Sequence, residues 1–228
     1  ARSGAPPRLA DSVWAYPLVG ALVGAIGAGC YAGAAVLGVP LPLAAVLAVA
    51  AMVLATGAFH EDGLADTADG LGGGGDRDAK LAIMRDSRIG TYGTLAVIFS
   101  VLVRVVALAG LPAVDIAAAA LIGLAGLSRG AIVALLAALP SARTDGMGAV
   151  AANPGRGAVL AGGVLALLPL VFWPPPVAVA LLATAMAATL IVGLLARAQI
   201  GGYTGDVLGA AQQACECACW IVIATLVA

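Results

Sequence analysis

Residues 14–37 read WAYPLVGALVGAIGAGCYAGAAVL, a continuous run without a single charged side chain. A stretch of about 18 or more apolar residues is long enough, as a helix, to cross the hydrocarbon core of a bilayer. The glycines and alanines in this run are the small residues that let helices pack closely in lipid. The stretch therefore predicts a membrane-spanning helix and sets the fold class of the chain.

Six further apolar runs follow, so the sequence predicts about seven spans: Trp14–Leu37, Leu41–Phe59, Thr94–Leu111, Ile116–Leu139, Ala158–Trp173, Val177–Ala196 and Ala211–Ala228. Lipid offers backbone groups no hydrogen-bond partner, so each continuous run is expected to be helical, whereas a β-barrel needs short alternating segments. The whole chain is 62% hydrophobic and 10% charged, against about 25% charged residues in soluble domains. We expect one all-α, polytopic membrane domain over residues 1–228.

Apart from Arg104 and Arg129, which fall within predicted spans, the basic residues are confined to alternate loops of this scheme: Arg2, Arg8, Arg77, Lys80, Arg85, Arg88, Arg143, Arg156 and Arg197. Positive loops favour the cytoplasm, so we expect a multi-pass membrane protein with the N-terminus and the long loops on the cytoplasmic side and the C-terminus outside. The polar residues 1–12 are expected to be the remainder of a longer N-terminal segment. A net charge of −1 excludes a nucleic-acid footprint, and the lipid bilayer is the expected surrounding partner.

The segment after the second predicted span, residues 59–93, reads FHEDGLADTADGLGGGGDRDAKLAIMRDSRIGTYG and holds seven of the twelve acids. Asp62, Asp66 and Asp69 are spaced i, i+4 and i+7, which places them on one face of a helix. Stacked carboxylates repel one another, and Mg²⁺, which prefers oxygen ligands and substrate phosphates, would offset that repulsion. The pattern predicts a magnesium site of the kind used in phosphoryl transfer, with Glu61 as a further ligand; the alternative is a solvated acidic loop.

The neighbours of this cluster have plainer interpretations as well. His60 either orients a ligand or caps the span. Asp76 and Asp78 follow a glycine run and are expected to begin the next helix, where acids favour the helix dipole.

Cationic and glycine-rich segments on the same predicted side could bind an anion. Arg85 and Arg88 can pair with phosphate oxygens, and Gly90 and Gly93 let the backbone approach an anion at a helix start. The alternative is positive-inside anchoring of the third span. Arg129 is expected in the cytoplasmic half of the bundle, within reach of a phosphate, whereas for Arg104 a structural ion pair is as good an explanation.

Two more loops carry candidate polar residues. The segment ARTDGMG, Ala142–Gly148, contains Arg143 and Asp145. The segment GGYTGDVLGA, Gly201–Ala210, contains Thr204 in a tight turn and Asp206 in the first turn of the last span. Asp206 either caps the helix or, beside a phosphate site, binds metal or accepts a proton.

These motifs together resemble the cobalamin synthase family, the adenosylcobinamide-GDP ribazoletransferases. The resemblance is carried by FHEDGLADTADGLGG (Phe59–Gly73), IMRDSRIGTYG (Ile83–Gly93) and GGYTGDVLGA (Gly201–Ala210). Weaker agreement comes from SVWAYPLVG near the start, LSRG (Leu127–Gly130) and RTDGMG. The resemblance extends over essentially the whole chain.

The resemblance implies a multi-span inner-membrane enzyme that requires Mg²⁺. Such an enzyme joins α-ribazole, or its 5′-phosphate, to adenosylcobinamide-GDP and releases GMP. It implies metal ligation by the acidic motif at Asp62, Asp66 and Asp69, and proton acceptance by Asp69 or Asp206. The family's second motif implies phosphate binding near Asp86, Ser87, Arg88 and Thr91. A homo-oligomer is compatible with this reading.

The sequence departs from the family pattern in two places. Family members begin with a further stretch that has a short basic, Pro-containing motif, and this stretch is missing here. Gln213 stands where a Glu is expected, although Glu216 fits the second acid of that helix.

Two other functions use similar acidic clusters. A cation transporter would bind its ion near the bilayer midplane, in interrupted helices of two repeated halves. A membrane pyrophosphatase would also stack aspartates around Mg²⁺, but needs more spans than this chain has.

Overall fold

The computed structural model describes residues 9–227 apart from the side chain of Met147, and this part of the chain is all-helical. Ten α-helices follow one another: α1 Tyr16–Val36, α2 Leu41–Thr56, α3 Phe59–Gly73, α4 Arg77–Ile83, α5 Thr91–Ala109, α6 Val114–Ala138, α7 Gly146–Val150, α8 Arg156–Leu167, α9 Pro175–Ile200 and α10 Gly205–Leu226. Short 3₁₀ segments, Leu9–Ala15 and Leu168–Phe172, precede α1 and extend α8. The predicted all-α class is confirmed.

Several of these helices can cross a membrane, as the sequence predicted. Five are long and apolar enough: α1 with its 3₁₀ extension, α5, α6, α9 and α10. The α2–α3 pair passes the same test only as a unit and is bent by 87°, while the helix Arg156–Phe172 is shorter. The protein is therefore a multi-pass membrane bundle, and the predicted count of about seven is approximate, since it requires both the bent pair and the short helix.

The bend between α2 and α3 has a local backbone cause. Gly57 and Ala58 both adopt the left-handed conformation, with φ of 63° and 60°, which ends α2 at Thr56 rather than at the predicted Phe59. Four acids in 15 residues make α3 too polar to span lipid. We therefore do not count α3 among the spanning helices, although its first turn reaches into the bundle, where Glu61 pairs with Arg104 of α5.

The predicted polar tail, residues 1–12, is only partly described. Residues 1–8, including Arg2 and Arg8, lie outside the described range. Residues 9–12 do not form a tail, because they begin the 3₁₀ segment, in which Ala10 and Val13 are fully buried.

The interior of the bundle is built on α6 and α10, the two spans with the largest buried share. Helix α1 packs along α6, and α9 and α3 pack along α10. Gly20 and Gly24 of α1 lie directly against the backbone of α6 at Ala125 and Leu121. Any side chain at either glycine would separate the two helices. The glycines therefore allow the close helix packing that small residues are expected to give in a membrane bundle.

The polar loops meet at one end of the bundle. The Arg77 guanidinium donates to the carbonyls of Ile200 (3.1 Å) and Ala142 (2.9 Å). The backbone of Tyr203 donates to the Pro140 carbonyl at 3.0 Å and accepts from the Ala142 N–H at 2.7 Å. The α3–α5 segment, the α6–α8 loop and the α9–α10 turn therefore form one surface, as the distribution of basic residues predicted.

Candidate active site

The acidic helix α3 lies against the start of α10, and two glycines make this approach possible. A Cβ on Gly63 would stand 2.8 Å from the Asp206 carbonyl oxygen, and one on Gly209 would stand 3.2 Å from the His60 carbonyl oxygen. Asp62 is exposed on this helix, whereas Asp66 and Asp69 are half-buried. The close packing brings Asp206 beside the predicted aspartate row.

Asp66 is the electrostatic centre of the cluster. Partial burial, followed by the negative charges of Asp62, Asp206 and Asp69, raises the pKa of Asp66 to about 6. The contact of Gly63 with the Asp206 backbone brings the two helix faces that carry these side chains together. The structure thus brings together the three predicted aspartates of α3 and the predicted Asp206.

Asp69 has a structural partner that the sequence did not reveal. Its carboxylate accepts hydrogen bonds from the backbone N–H groups of Gly90 (2.6 Å) and Gly93 (2.9 Å), at the start of α5. Gly90 and Gly93 therefore do approach an anion, as predicted, but in this structure that anion is the Asp69 side chain. Both carboxylate oxygens are engaged, so Asp69 ties α3 to α5.

Asp206 is held from one side only. Its Oδ2 accepts from the Thr204 hydroxyl at 3.0 Å and from the Arg143 guanidinium at 3.3 Å. Thr204, and not Asp206, caps α10 by accepting from the Val207 N–H. Within the described range Oδ1 of Asp206 has no hydrogen-bond partner, which leaves it open to a ligand or a proton.

Two predicted phosphate ligands form exposed ion pairs beside the cluster. Arg85 donates to both carboxylate oxygens of Asp145 at 2.7 Å, and Arg88 pairs with Asp86 at 2.6 Å. Ser87 and Thr91 are exposed on the same segment. Exposed ion pairs contribute little to stability, so phosphate oxygens can replace these carboxylates at small cost.

Arg129, Glu61 and Arg104 lie elsewhere, in a buried layer of ion pairs. Arg129 pairs with Glu216 at 3.2 Å, and Arg104 pairs with Glu61 at 3.0 Å. Arg129 was predicted to reach a phosphate and Glu61 to bind metal, but each side chain is buried and held by its partner. For Arg104 the structure shows the ion pair that the sequence left as one of two explanations.

Amide and hydroxyl side chains join the two buried pairs into one network. The Gln213 side chain donates to Glu61 (3.1 Å) and to the side-chain oxygen Oε1 of Gln212 (3.0 Å), and accepts from the Ser100 hydroxyl (2.6 Å). Gln212 and Ser128 both donate to Glu216. A glutamate at position 213 would place a second carboxylate against Glu61, so glutamine suits this site.

The remaining predicted residues have local roles. His60 is half-buried in the first turn of α3, with its ring edge-on to Phe59 at 5.7 Å. Asp76 accepts from the Ala79 N–H at 2.9 Å and caps α4, which confirms that prediction. The guanidinium of Arg143 also donates to the Leu81 carbonyl at 2.8 Å, which links the α6–α8 loop to α4.

The donors present suit a hard divalent cation. Asp62, Asp66 and Asp206 offer carboxylate oxygens, the ligands that Mg²⁺ prefers, and burial together with the neighbouring negative charges raises the pKa of Asp66. Among residues 9–227, no three His, Cys, Asp or Glu side chains are arranged so that they could hold a metal ion together. A cation at these carboxylates would therefore need waters and substrate phosphates as further ligands, as Mg²⁺ sites commonly do.

Sequence reasoning missed the contacts that assemble this site. Gly63 and Gly209 set the α3–α10 approach, and Arg77 holds the loops together. The glycines recur on helix faces, and Arg77 lies at a helix start, but neither signal identifies a partner more than a hundred residues away.

Comparison with known proteins identifies the family of this chain. The family model described as CobS, cobalamin-5-phosphate synthase, matches residues 2–224. The chain belongs to the cobalamin-5-phosphate synthase family. No solved structure gives a significant match.

Curated members of this family are similar over nearly their whole length. An adenosylcobinamide-GDP ribazoletransferase of Azorhizobium caulinodans is 50% identical over 222 residues, which cover 94% of this chain and 84% of the relative. The protein of the same name from Bradyrhizobium diazoefficiens is 45% identical and covers 98% and 86% of the two chains. That from Xanthobacter autotrophicus is 51% identical, with 92% and 82% covered.

Proposed function

We propose that this cobalamin-5-phosphate synthase family member is an Mg²⁺-dependent adenosylcobinamide-GDP ribazoletransferase. The ribazole hydroxyl forms a bond to the cobinamide-side phosphorus of adenosylcobinamide-GDP, the bond from that phosphorus to the GMP oxygen breaks, and GMP leaves. The acceptor is α-ribazole or its 5′-phosphate. The observation that carries the proposal is the family match over residues 2–224, which includes the whole acidic site.

The cluster supplies the charges that a pyrophosphate substrate needs. Asp62, Asp66 and the open oxygen of Asp206 would hold Mg²⁺, which when bound neutralises the phosphate charge. Arg85 and Arg88 exchange their exposed carboxylate partners for phosphate oxygens. Because both groups of charges lie on the surface formed by the loops, one GDP-linked substrate can contact them together.

The geometry separates two aspartates that the sequence treated alike as proton acceptors. Both oxygens of Asp69 accept backbone hydrogen bonds, which lowers its capacity to take a further proton. Asp206 has an open Oδ1, while Thr204 and Arg143 fix its orientation through Oδ2. We assign a positioning role to Asp69 and the metal to the open oxygen of Asp206, so the proton of the attacking hydroxyl passes to solvent at this exposed face.

Purified full-length protein in detergent tests this function directly. With adenosylcobinamide-GDP, α-ribazole and Mg²⁺, we expect GMP and a cobalamin product in equal amounts. Release of inorganic phosphate from pyrophosphate without GMP would indicate the pyrophosphatase alternative. Cation flux in proteoliposomes without any corrinoid product would indicate the transporter alternative, and either result would overturn the proposal.

A further inference from the structure

A large apolar groove runs along the bundle, away from the acidic cluster. Its volume is about 680 Å³, and α6, α8, α9 and α10 form its walls. Leu135, Gly163, Leu167, Met186 and Leu190 line it, and Arg197 lies at its polar end. Met186 and Leu190 are 64% and 60% exposed, so the groove opens to the side of the bundle, where the bilayer surrounds it.

The dimensions of the groove match a lipid chain. The stretch of α9 that lines it, from Leu182 to Arg197, is about 22 Å long at the rise of an α-helix. One leaflet of the hydrocarbon core is about 15 Å thick. An acyl chain can therefore lie in the groove with its head group at the level of Arg197.

Two cations without acidic partners lie at this end of the bundle, Arg197 in the groove and Arg156 in a neighbouring cavity. Arg197 and Arg156 are exposed, and neither forms an ion pair with any residue in the described range. Arg156 lines a second cavity of about 430 Å³, and Leu139 belongs to the walls of both cavities. Basic pockets between transmembrane helices bind the phosphates of anionic lipids.

We propose that this groove is a binding site for an anionic phospholipid, with an acyl chain along α6, α8 and α9 and the head-group phosphate bound by Arg197 and Arg156. The charge complementarity of two unpaired arginines selects an anionic lipid over a zwitterionic one. The proposal is independent of the proposed transferase chemistry, because none of its residues belongs to the acidic cluster.

Native mass spectrometry of the purified full chain tests the charge part, with dioleoylphosphatidylglycerol and dioleoylphosphatidylcholine as probes. We expect the wild type to retain phosphatidylglycerol in preference to phosphatidylcholine, and Arg197→Gln and Arg156→Gln each to weaken its binding about fivefold. Arg88→Gln removes a cation from the same face outside the groove and is expected to leave lipid binding unchanged. Equal retention of both lipids, or equal loss in all three variants, would overturn the proposal.

A second pair of variants tests the groove itself. No atom lies within 4 Å of a Cβ at Gly163, so Gly163→Leu is expected to extend its side chain into the groove. Gly33→Leu adds the same side chain at an exposed, equally open position on α1. We expect at least tenfold weaker phosphatidylglycerol binding in Gly163→Leu only. Displacement of the lipid by α-ribazole, or loss of a dimer in Gly163→Leu, would assign the groove to the substrate or to a second copy and contradict the proposal.

Discussion

At the scale of single residues, the pKa of Asp66 supports the proposed metal site over the alternative of a solvated acidic loop. An acid in a solvated loop keeps an ordinary pKa, whereas burial and the charges of Asp62, Asp206 and Asp69 raise that of Asp66 to about 6. At neutral pH the folded protein therefore holds this carboxylate ionised at an energetic cost. A bound divalent cation removes that cost, which links the geometry of the cluster to Mg²⁺.

Asp66→Asn distinguishes a role of Asp66 in metal binding from a role in the stability of the fold. The substitution removes the charge at the centre of the cluster, so we expect turnover to fall at least 100-fold while the melting temperature without Mg²⁺ stays level or rises. Asp78→Asn, an exposed acid of α4 outside the cluster, is the matched control and is expected to keep full activity. Near-normal turnover of Asp66→Asn in the coupled GMP assay would exclude its metal role.

Asp69→Ala is expected to behave differently from Asp66→Asn. It removes the acceptor of two backbone hydrogen bonds at the start of α5, a loss comparable to removing a helix cap, about 1–2 kcal/mol. We expect a lower melting temperature together with lower activity. An unchanged melting temperature, measured by circular dichroism, would show that the hydrogen bonds of Asp69 do not stabilise the fold.

At the scale of elements, the site depends on how closely α3 and α10 approach. The sequence predicted one helical face for Asp62, Asp66 and Asp69, and this followed from spacing alone. For Asp206, 140 positions after Asp66, it left two roles open, a helix cap or a residue of the site, because the contact with α3 depends on Gly63 and Gly209 and on the bend at Gly57 and Ala58.

Gly63→Ala tests this helix contact. Its Cβ would stand 2.8 Å from the Asp206 carbonyl, so α3 must shift away and separate Asp66 from Asp206. We expect activity to fall about tenfold or more, although alanine favours helix formation over glycine by about 1 kcal/mol.

The control for this contact is Gly29→Ala on α1. No atom lies within 4 Å of a Cβ at Gly29, so the same substitution is expected to raise the melting temperature slightly and leave activity unchanged. Equal activity of Gly63→Ala and Gly29→Ala would show that the α3–α10 approach is not needed for catalysis.

At the scale of the whole molecule, a buried polar layer ties the acidic helix to the bundle. The Arg104–Glu61 and Arg129–Glu216 pairs, with Gln212 and Gln213 between them, connect α3, α5, α6 and α10. In lipid, charges inside a bundle are tolerated only when they are paired.

What could be predicted from the sequence depends on how far apart the interacting residues lie along the chain. Apolar runs predicted the membrane bundle and the common face of the loops, because each run is a local signal. The same runs placed the end of the second span at Phe59 and not at Thr56, because hydropathy does not show the left-handed φ values of Gly57 and Ala58. The partner of Arg129 could not be found either, because Glu216 lies 87 positions away and the sequence offers several acids.

Breaking one buried pair tests the layer. Arg104→Gln leaves Glu61 as a buried charge without its cation, and we expect a loss of stability of about 3–5 kcal/mol. The double variant Glu61→Gln/Arg104→Gln is expected to recover much of that loss. Thermal unfolding in detergent measures both, and a double variant less stable than Arg104→Gln alone would contradict the ion-pair role.

The central claim is that Asp62, Asp66 and Asp206 share one divalent cation, and Mn²⁺ binding followed by electron paramagnetic resonance tests it most directly. With adenosylcobinamide-GDP present, we expect the wild type to bind Mn²⁺, Mg²⁺ to compete for the same site, and Asp66→Asn to lose at least 90% of the bound signal at the same Mn²⁺ concentration. Asp78→Asn is expected to bind as the wild type does. Full Mn²⁺ binding by Asp66→Asn would contradict the proposed site.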